Sequence, residues 1–416
     1  MGHASAGLLV QTTLGLYALF KACFIRGGDV ESGSSNVRCL SSWGFMRQIP
    51  FFNYPALYAE RAEVYDAAVQ GVLRRGGYIM QKELAEFEAN LAAYLGCKYA
   101  IGVADGTAAL IFALRVAGVG PGDEVIVSSH TFVATAAAVH HVGAQPVVCD
   151  CLPDSMMDPD SAERMITPRT KAIMPTQLNG RTCNMDRLMS ICAKHGLEMV
   201  EDSCQAMGAR FNGRPAGLFG KAGSYSFYPA KTLGSFGDGG AVVTDSDEAA
   251  ALIRQLRDHG RNAQGKVTVW GHNGRLDNLQ AAVLNVKLAH YDEAIARRRA
   301  IASLYQQRLD DLRSLRLPPP PDSDPRRFDI FQNYEIWADD RDALRRFLTE
   351  NGIGTNLQWG GWMLHQLDDL GMRSDAPFAE TFSKHFLMLP LHHMLPDEDV
   401  HHVCDTIRRF YTSKGV

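Results

Sequence analysis

The sequence predicts an α/β fold: a large doubly wound domain with a mainly parallel sheet, followed by a smaller α+β domain. Three observations carry this. Short apolar runs alternate with helix-like stretches from Tyr99 to Val200. A proline-rich and then charged break, Pro318 to Arg327, separates that pattern from a mixed tail. The 416 residues are 46% apolar and 21% charged, enough to bury a sizeable core.

Residues 1–45 do not match the rest. Gly7 to Ile25 is apolar but carries Gln11 and Lys21, so it is polar for a membrane span and long for a signal core. Gly27 to Ser42 reads as a linker. An unstructured extension and a targeting segment both remain open, and a membrane association depends on this segment alone. The large domain is expected over 46–290 and the small one over 291–416. Helical spacing runs from Tyr58 to Leu73 and from Glu83 to Leu95, ended by Gly96. Tyr99–Val103 is a buried strand that turns through Ala104–Thr107 into a helix, Ala108–Ala117. Strands follow at Val125–Ser128, Gln145–Cys149, Ala172–Met174, Leu197–Val200, Gly223–Phe227 and Ala241–Thr244. Helices are expected at Val133–Val142, Leu188–His195, Leu252–His259 and Leu276–Tyr291, the last after a loop at Trp270–Gly274. The tail holds a strand at Tyr334–Trp337 and helices at Arg341–Asn351 and Asp397–Tyr411.

A net charge of −4 offers no general attraction for nucleic acid. Nine scattered cysteines without paired spacing fit reduced thiols and a cytoplasmic protein. Cys149 and Cys151 flank Asp150 and read as packing. His392-His393 and His401-His402 are adjacent pairs whose rings point apart, so no metal is expected.

The chemistry concentrates in SYSFYPAKTLGSFGDGG, Ser224 to Gly240. Lys231 has no charged neighbour from Ser224 to Phe236. Desolvation disfavours its ammonium form, which is what a Schiff-base lysine needs. A buried loop lysine bonded to carbonyls is the plainer alternative. Val200-Glu201-Asp202 reads as a strand ending in an acid, where ligands gather in an open α/β sheet. Asp202 could instead cap a helix. Together, Lys231 for a Schiff base and Asp202 for a pyridine nitrogen point to pyridoxal 5′-phosphate (PLP). Gly106 and Thr107 open a helix whose free N–H groups make an anion site; Thr107 as a plain cap is compatible with that.

Four motifs in order are GTAAL at Gly106, EDSCQAMGA at Glu201, the lysine stretch at Ser224 and HNGRLDNLQAAVL at His272. The chain from about Ile49 onward thereby resembles the DegT/DnrJ family of sugar aminotransferases, within the fold-type I, aspartate aminotransferase-like PLP enzymes. The resemblance implies catalytic Lys231 and Asp202, with the cofactor phosphate on Gly106, Thr107 and Ser226. It implies Phe132 stacked on the pyridine ring, or else a core aromatic, and Gln205 at or beside the ring oxygen. Asn273 would reach the cofactor of the other subunit of a homodimer, or else close a turn in its own. Substrate-side positions are Gln177, Asn179, Trp359 and His365; the family usually has a histidine and an aromatic at the first two, and a histidine–tyrosine–proline run where this chain has Gln358 to Trp362. The implied reaction moves an amino group from glutamate or glutamine to a keto-sugar: a nucleotide-linked keto-hexose, a sugar acid or a cyclitol ketone. A PLP-dependent sugar dehydratase would carry histidine in place of Lys231. A PLP-binding regulator without turnover stays open.

Overall fold

A computed structural model describes residues 47–372 and 374–414; the predicted extension, residues 1–45, lies outside them. The first strand, β1 (Tyr99–Val103), follows the helix Lys82–Leu95, which ends on Gly96 at a φ of 70° that a side chain would strain. Then come β2 (Glu124–Ser128), β3 (Gln145–Cys149), β4 (Thr170–Met174) and β5 (Glu198–Asp202). Two-residue strands β6 (Arg210–Phe211) and β7 (Arg214–Pro215) precede β8 (Ala222–Ser226) and β9 (Gly240–Thr244). Apart from β6 and β7, which no apolar run announces, these strands match the runs to within two residues, because each run is bounded by turn-forming residues.

The main sheet has the order β1-β9-β8-β5-β4-β2-β3. Neighbours from β8 to β3 pair in parallel, and β9 runs antiparallel to both β1 and β8. Val125, Ile126 and Val127 of β2 are all buried, as are Ala241, Val242 and Val243 of β9. A sheet covered on both faces needs apolar residues on both faces, which explains the continuous rather than alternating pattern. Since β1 is parallel to β8, the C-terminal ends of β1, β2, β4, β5 and β8 share one edge of the sheet.

A second sheet, β10 (Leu315–Arg316), β12 (Tyr334–Ala338) and β13 (Phe386–Leu389), is antiparallel. Its core takes in helices Tyr291–Leu309, Arg341–Glu350 and Asp397–Ser413 through Ile301, Leu344, Leu348, Val403 and Ile407. Ile49 packs in this second core and pairs with Ile353, so the start of the described chain is tied to its tail rather than to the main sheet. The short β11 (Arg327–Phe328) joins β6 and β7 in a third sheet that the local pattern does not announce.

Two helix predictions differ from the structure. The spacing from Tyr58 to Leu73 covers two helices, Tyr54–Ala59 and Ala62–Arg75, broken where Arg61 takes φ −143°. The stretch from Leu276 to Tyr291 also covers two: Asn278–Leu288 stops before His290, and a new helix starts at Tyr291. In both cases the apolar spacing carries across a break that it does not encode.

Candidate active site

A cavity of about 690 Å³ opens at the shared edge of the main sheet. Gly106 and Thr107 reach it from the end of β1, and Thr131 and Phe132 from the end of β2. Thr176 follows β4, Asp202 ends β5, Ser226 ends β8, and Lys231 lies in the loop between β8 and β9. This is the strand-end position at which open α/β sheets bind ligands.

Lys231 is half-buried on the cavity wall. Burial pushes its ammonium below the ordinary value, while nearby Cys204 and Asp202 pull it part of the way back. Its loop is held from the small-sheet side. Gln332 Oε1 accepts from the Thr232 N–H at 2.6 Å and from Thr232 Oγ1 at 2.7 Å, and its Nε2 donates to the Ala230 carbonyl at 2.9 Å. Arg298 donates to the carbonyls of Phe331, Gln332 and Leu391 and fixes Gln332 in turn. Lys287 Nζ donates to the Gly234 carbonyl at 2.5 Å, at the end of the same loop.

Successive strand residues face opposite sides, and β5 uses this. Glu201 turns to the back of the sheet. Its carboxylate accepts from the N–H groups of Gly217 at 2.8 Å and Phe219 at 2.6 Å, and from Gln177 Nε2 at 2.8 Å. Asp202 turns to the cavity. Its Oδ2 accepts from Thr135 Oγ1 at 2.7 Å and its Oδ1 from the Cys204 N–H at 3.1 Å. No helix follows Asp202, so it caps none.

The helix Gly106–Val116 begins with Asp105 as its cap, Oδ1 accepting from the Ala108 N–H at 2.8 Å. Thr107 is therefore the second helical residue and not the cap. The first N–H groups of a helix have no carbonyl partner within it. A Cβ on Gly106 would lie 2.9 Å from Ser226 Cβ and 3.1 Å from Cys204 Sγ. Glycine lets the helix start sit against Ser226, and the pair forms a cradle that suits a phosphate group. We predict that Gly106→Ala weakens cofactor binding about tenfold or more, since tenfold corresponds to only about 1.4 kcal/mol; titration of the apoprotein with PLP measures it.

Phe132 is 49% exposed, so it is not a core aromatic. Its ring lies 6.2 Å from that of Trp359. Phe52, Tyr54 and Tyr228 complete an aromatic rim that local sequence gives no signal for. Gln205 lines the cavity, its Oε1 accepting from the Asn179 N–H at 2.9 Å and from Asn333 Nδ2 at 3.2 Å.

Behind this wall, the buried Glu335 carboxylate accepts from His130 Nε2, Ser155 Oγ, Asn179 Nδ2 and Gln358 Nε2, all within about 3.0 Å. Burial raises the Glu335 pKa, but His130 and these hydrogen bonds outweigh it and leave the group below its ordinary value. An acceptor-only carboxylate fixes which way each of these amides points. Asn179 belongs to this web rather than to the cavity wall, at a φ of 55°.

Gln177 and His365 are not brought to the cavity. Gln177 is fully buried, donating to Glu201 and accepting from the Cys183 N–H at 2.7 Å. His365 is buried 3.4 Å from Glu380, and burial lowers its pKa. Asn273 is exposed, bridged to Asp258 at the neck of a loop on which Val267 and Trp270 are 56% and 89% exposed. Cys149 and Cys151 sit in two separate apolar clusters. His392 is buried, and His393 meets Glu60 at 3.3 Å.

The residues present fit PLP. Lys231 offers an amine of lowered pKa, Asp202 a buried carboxylate, and Gly106 with Ser226 a close-packed cradle. Comparison with known proteins identifies the family. The model of the DegT/DnrJ/EryC1/StrS aminotransferase family matches residues 60–408. A dTDP-3-amino-3,4,6-trideoxy-alpha-D-glucose transaminase of Streptomyces venezuelae is 40% identical, over 89% of this chain and 98% of its own length. A pleiotropic regulatory protein of Geobacillus stearothermophilus is 37% identical, over 87% and 98% respectively. The crystal structure of S. venezuelae DesV superposes with a TM-score of 0.84 at 39% identity, covering 87% of this chain and 98% of that one. The cavity, its lysine and its carboxylate thus sit in a chain that belongs to the DegT/DnrJ/EryC1/StrS aminotransferase family.

Proposed function

We propose that this sugar aminotransferase takes its amino group from glutamate or glutamine and passes it to a nucleotide-linked keto-hexose. The observation that carries the reading is Lys231 and Asp202 lining one cavity. PLP, when bound, supplies an electron sink that stabilises negative charge on the carbon losing its proton. The chain supplies the rest. Lys231 would anchor the cofactor and then carry a proton to and from the reacting carbon; burial holds its ammonium below the ordinary value, the direction this role needs. Asp202 would face the ring nitrogen. Gly106, Thr107 and Ser226 would hold the phosphate, Phe132 would cover the ring, and Gln205 would offer the ring oxygen the Nε2 proton that it does not give to Gln358, because its Oε1 is already occupied. Trp359 and the rim aromatics give flat apolar surface for a sugar and a base. Gln177, Asn179 and His365 support the wall from behind.

We further propose a homodimer with shared sites in the cytoplasm, with residues 46–290 as the cofactor domain and 291–416 as the smaller one. Among the described residues lining the cavity, Lys231 is the single cation beside Asp105, Asp202 and Asp238. A phosphate held by Gly106, Thr107 and Ser226 there gains little from nearby cations, so a further donor would help, and Asn273 of the partner subunit is suited to supply one. Exposed Val267 and Trp270 near it favour an interface. The seven described cysteines are free, which suits a reducing compartment. Among the described residues no helix is long and apolar enough to cross a membrane.

Two experiments test this. Purified protein loaded with PLP and given glutamate should release 2-oxoglutarate and retain pyridoxamine phosphate, and a panel of keto-sugars followed by mass spectrometry should show the acceptor. A regulator without turnover would leave both unchanged. For the shared site, Lys231→Ala is mixed with an Asn273→Ala variant that has lost cofactor binding, under subunit exchange. Each mixed dimer then holds one site with both defects and one with neither, so activity returns to roughly half of wild type per mixed dimer. Mixed dimers without activity would refute the crossing loop.

A further inference from the structure

Three threonines outside the family motifs join into a chain that ends on Asp202. Thr135 Oγ1 donates to Asp202 Oδ2 at 2.7 Å. Thr131 Oγ1 lies 2.7 Å from Thr135 Oγ1 and 2.7 Å from Thr176 Oγ1. The carbons that bear them come from three places: the helix Val133–His141, the β2–helix turn, and the segment after β4. All four side chains belong to residues at least nine-tenths buried, and Thr131, Thr176 and Asp202 reach the cavity wall.

A threonine hydroxyl has one proton to give, and a carboxylate can only accept. Thr135 spends its proton on Asp202. Thr131 must therefore donate to Thr135, and Thr176 must donate to Thr131. The direction of every bond is fixed from the carboxylate outward, and the three O–H dipoles align towards it. Aligned bonds strengthen one another, and hydrogen bonds to the charged form of an acid favour that form.

We propose that Thr135, Thr131 and Thr176 form a one-way hydroxyl relay that positions Asp202 and keeps a shared proton on the cofactor's ring nitrogen rather than on the carboxylate. This rests on the reading of Asp202 as the ring-nitrogen partner. Thr135 is a positioning residue: it acts through Asp202 and touches no reacting atom. Without its hydroxyl the carboxylate is no longer aimed by that bond, and its hold on the ring proton weakens. The sign is thus toward a neutral pyridine and a weaker electron sink.

The test uses the holoenzyme loaded with PLP carrying nitrogen-15 in the ring, read by NMR. Thr135→Val should move the ring resonance toward that of neutral pyridine. It should lower kcat about tenfold or more, as loss of a hydrogen bond to a charged group implies, while KM for glutamate changes by less than about twofold. Thr135→Ser should restore both readings. Thr131→Val should shift the resonance the same way by less, and it carries the test if Thr135→Val does not fold. An unmoved resonance in a folded Thr135→Val or Thr131→Val that binds PLP overturns the relay, even if kcat falls. Asp202→Asn separates the failures. If Asp202→Asn moves the resonance and the threonine variants do not, only the relay is wrong; if Asp202→Asn leaves it unmoved, the reading of Asp202 itself falls.

Discussion

Lys231→Ala should abolish transamination, with a loss of at least about 10³–10⁴-fold, because in the role proposed for it one amine both anchors the cofactor and carries the proton. The covalent link should disappear as well: borohydride reduction of loaded wild type should add the cofactor mass to the peptide bearing Lys231, and the variant should gain none. The apo variant should also unfold at an equal or higher temperature than wild-type apoprotein at neutral pH. Burial depresses the lysine's folded pKa. The unfolded state therefore binds more protons there, and the group costs stability in full below its folded value, a cost that fades as pH rises from the folded value and is gone above the unfolded one. Turnover at the wild-type rate would contradict the role given to Lys231. Lys231→Arg serves as a partner experiment, since a guanidinium keeps the charge but does not release its proton near neutrality.

Asp202→Asn is expected to lower kcat by about 10²–10³-fold, the scale seen when one aligned electrostatic partner is removed from a reacting centre. The change is nearly isosteric. The side-chain carbonyl of the new amide can still accept from the Cys204 N–H, while its NH2 takes the place of the oxygen that now accepts from Thr135. The fold should survive, so far-ultraviolet circular dichroism and melting temperature should stay close to wild type. Normal kcat in the asparagine variant would leave Asp202 as no more than a turn residue.

Much of the fold was legible because the main sheet is buried on both faces. Runs such as Val125–Ser128 and Ala241–Thr244 announce themselves without reference to distant residues. Lys231 was legible for a similar local reason, the absence of charge around it. Thr135 and Gln332 were not legible. Each has ordinary neighbours in sequence, and its meaning comes from a partner 67 or 100 residues away. Glu335 shows the same limit more sharply, since His130, Ser155, Asn179 and Gln358 each come from a different segment of the chain. Gln177 and His365 illustrate the reverse. Resemblance assigns them to the substrate side, whereas both are buried away from the cavity, Gln177 bonded to Glu201 and the Cys183 N–H and His365 beside Glu380. The two helix breaks were missed because periodicity reports which face is apolar, not whether the backbone continues.

The clasp of Gln332 on the lysine loop has a consequence for the nascent chain. Thr232 and Gln332 are separated by 100 residues. At about 5–20 residues per second, the ribosome delivers the clasp roughly 5–20 s after the loop it closes. Through that interval the loop carrying the reactive amine lacks three of the hydrogen bonds that hold it in the finished protein. The order of emergence thus leaves the lysine loop without this clasp until the chain has grown through Gln332.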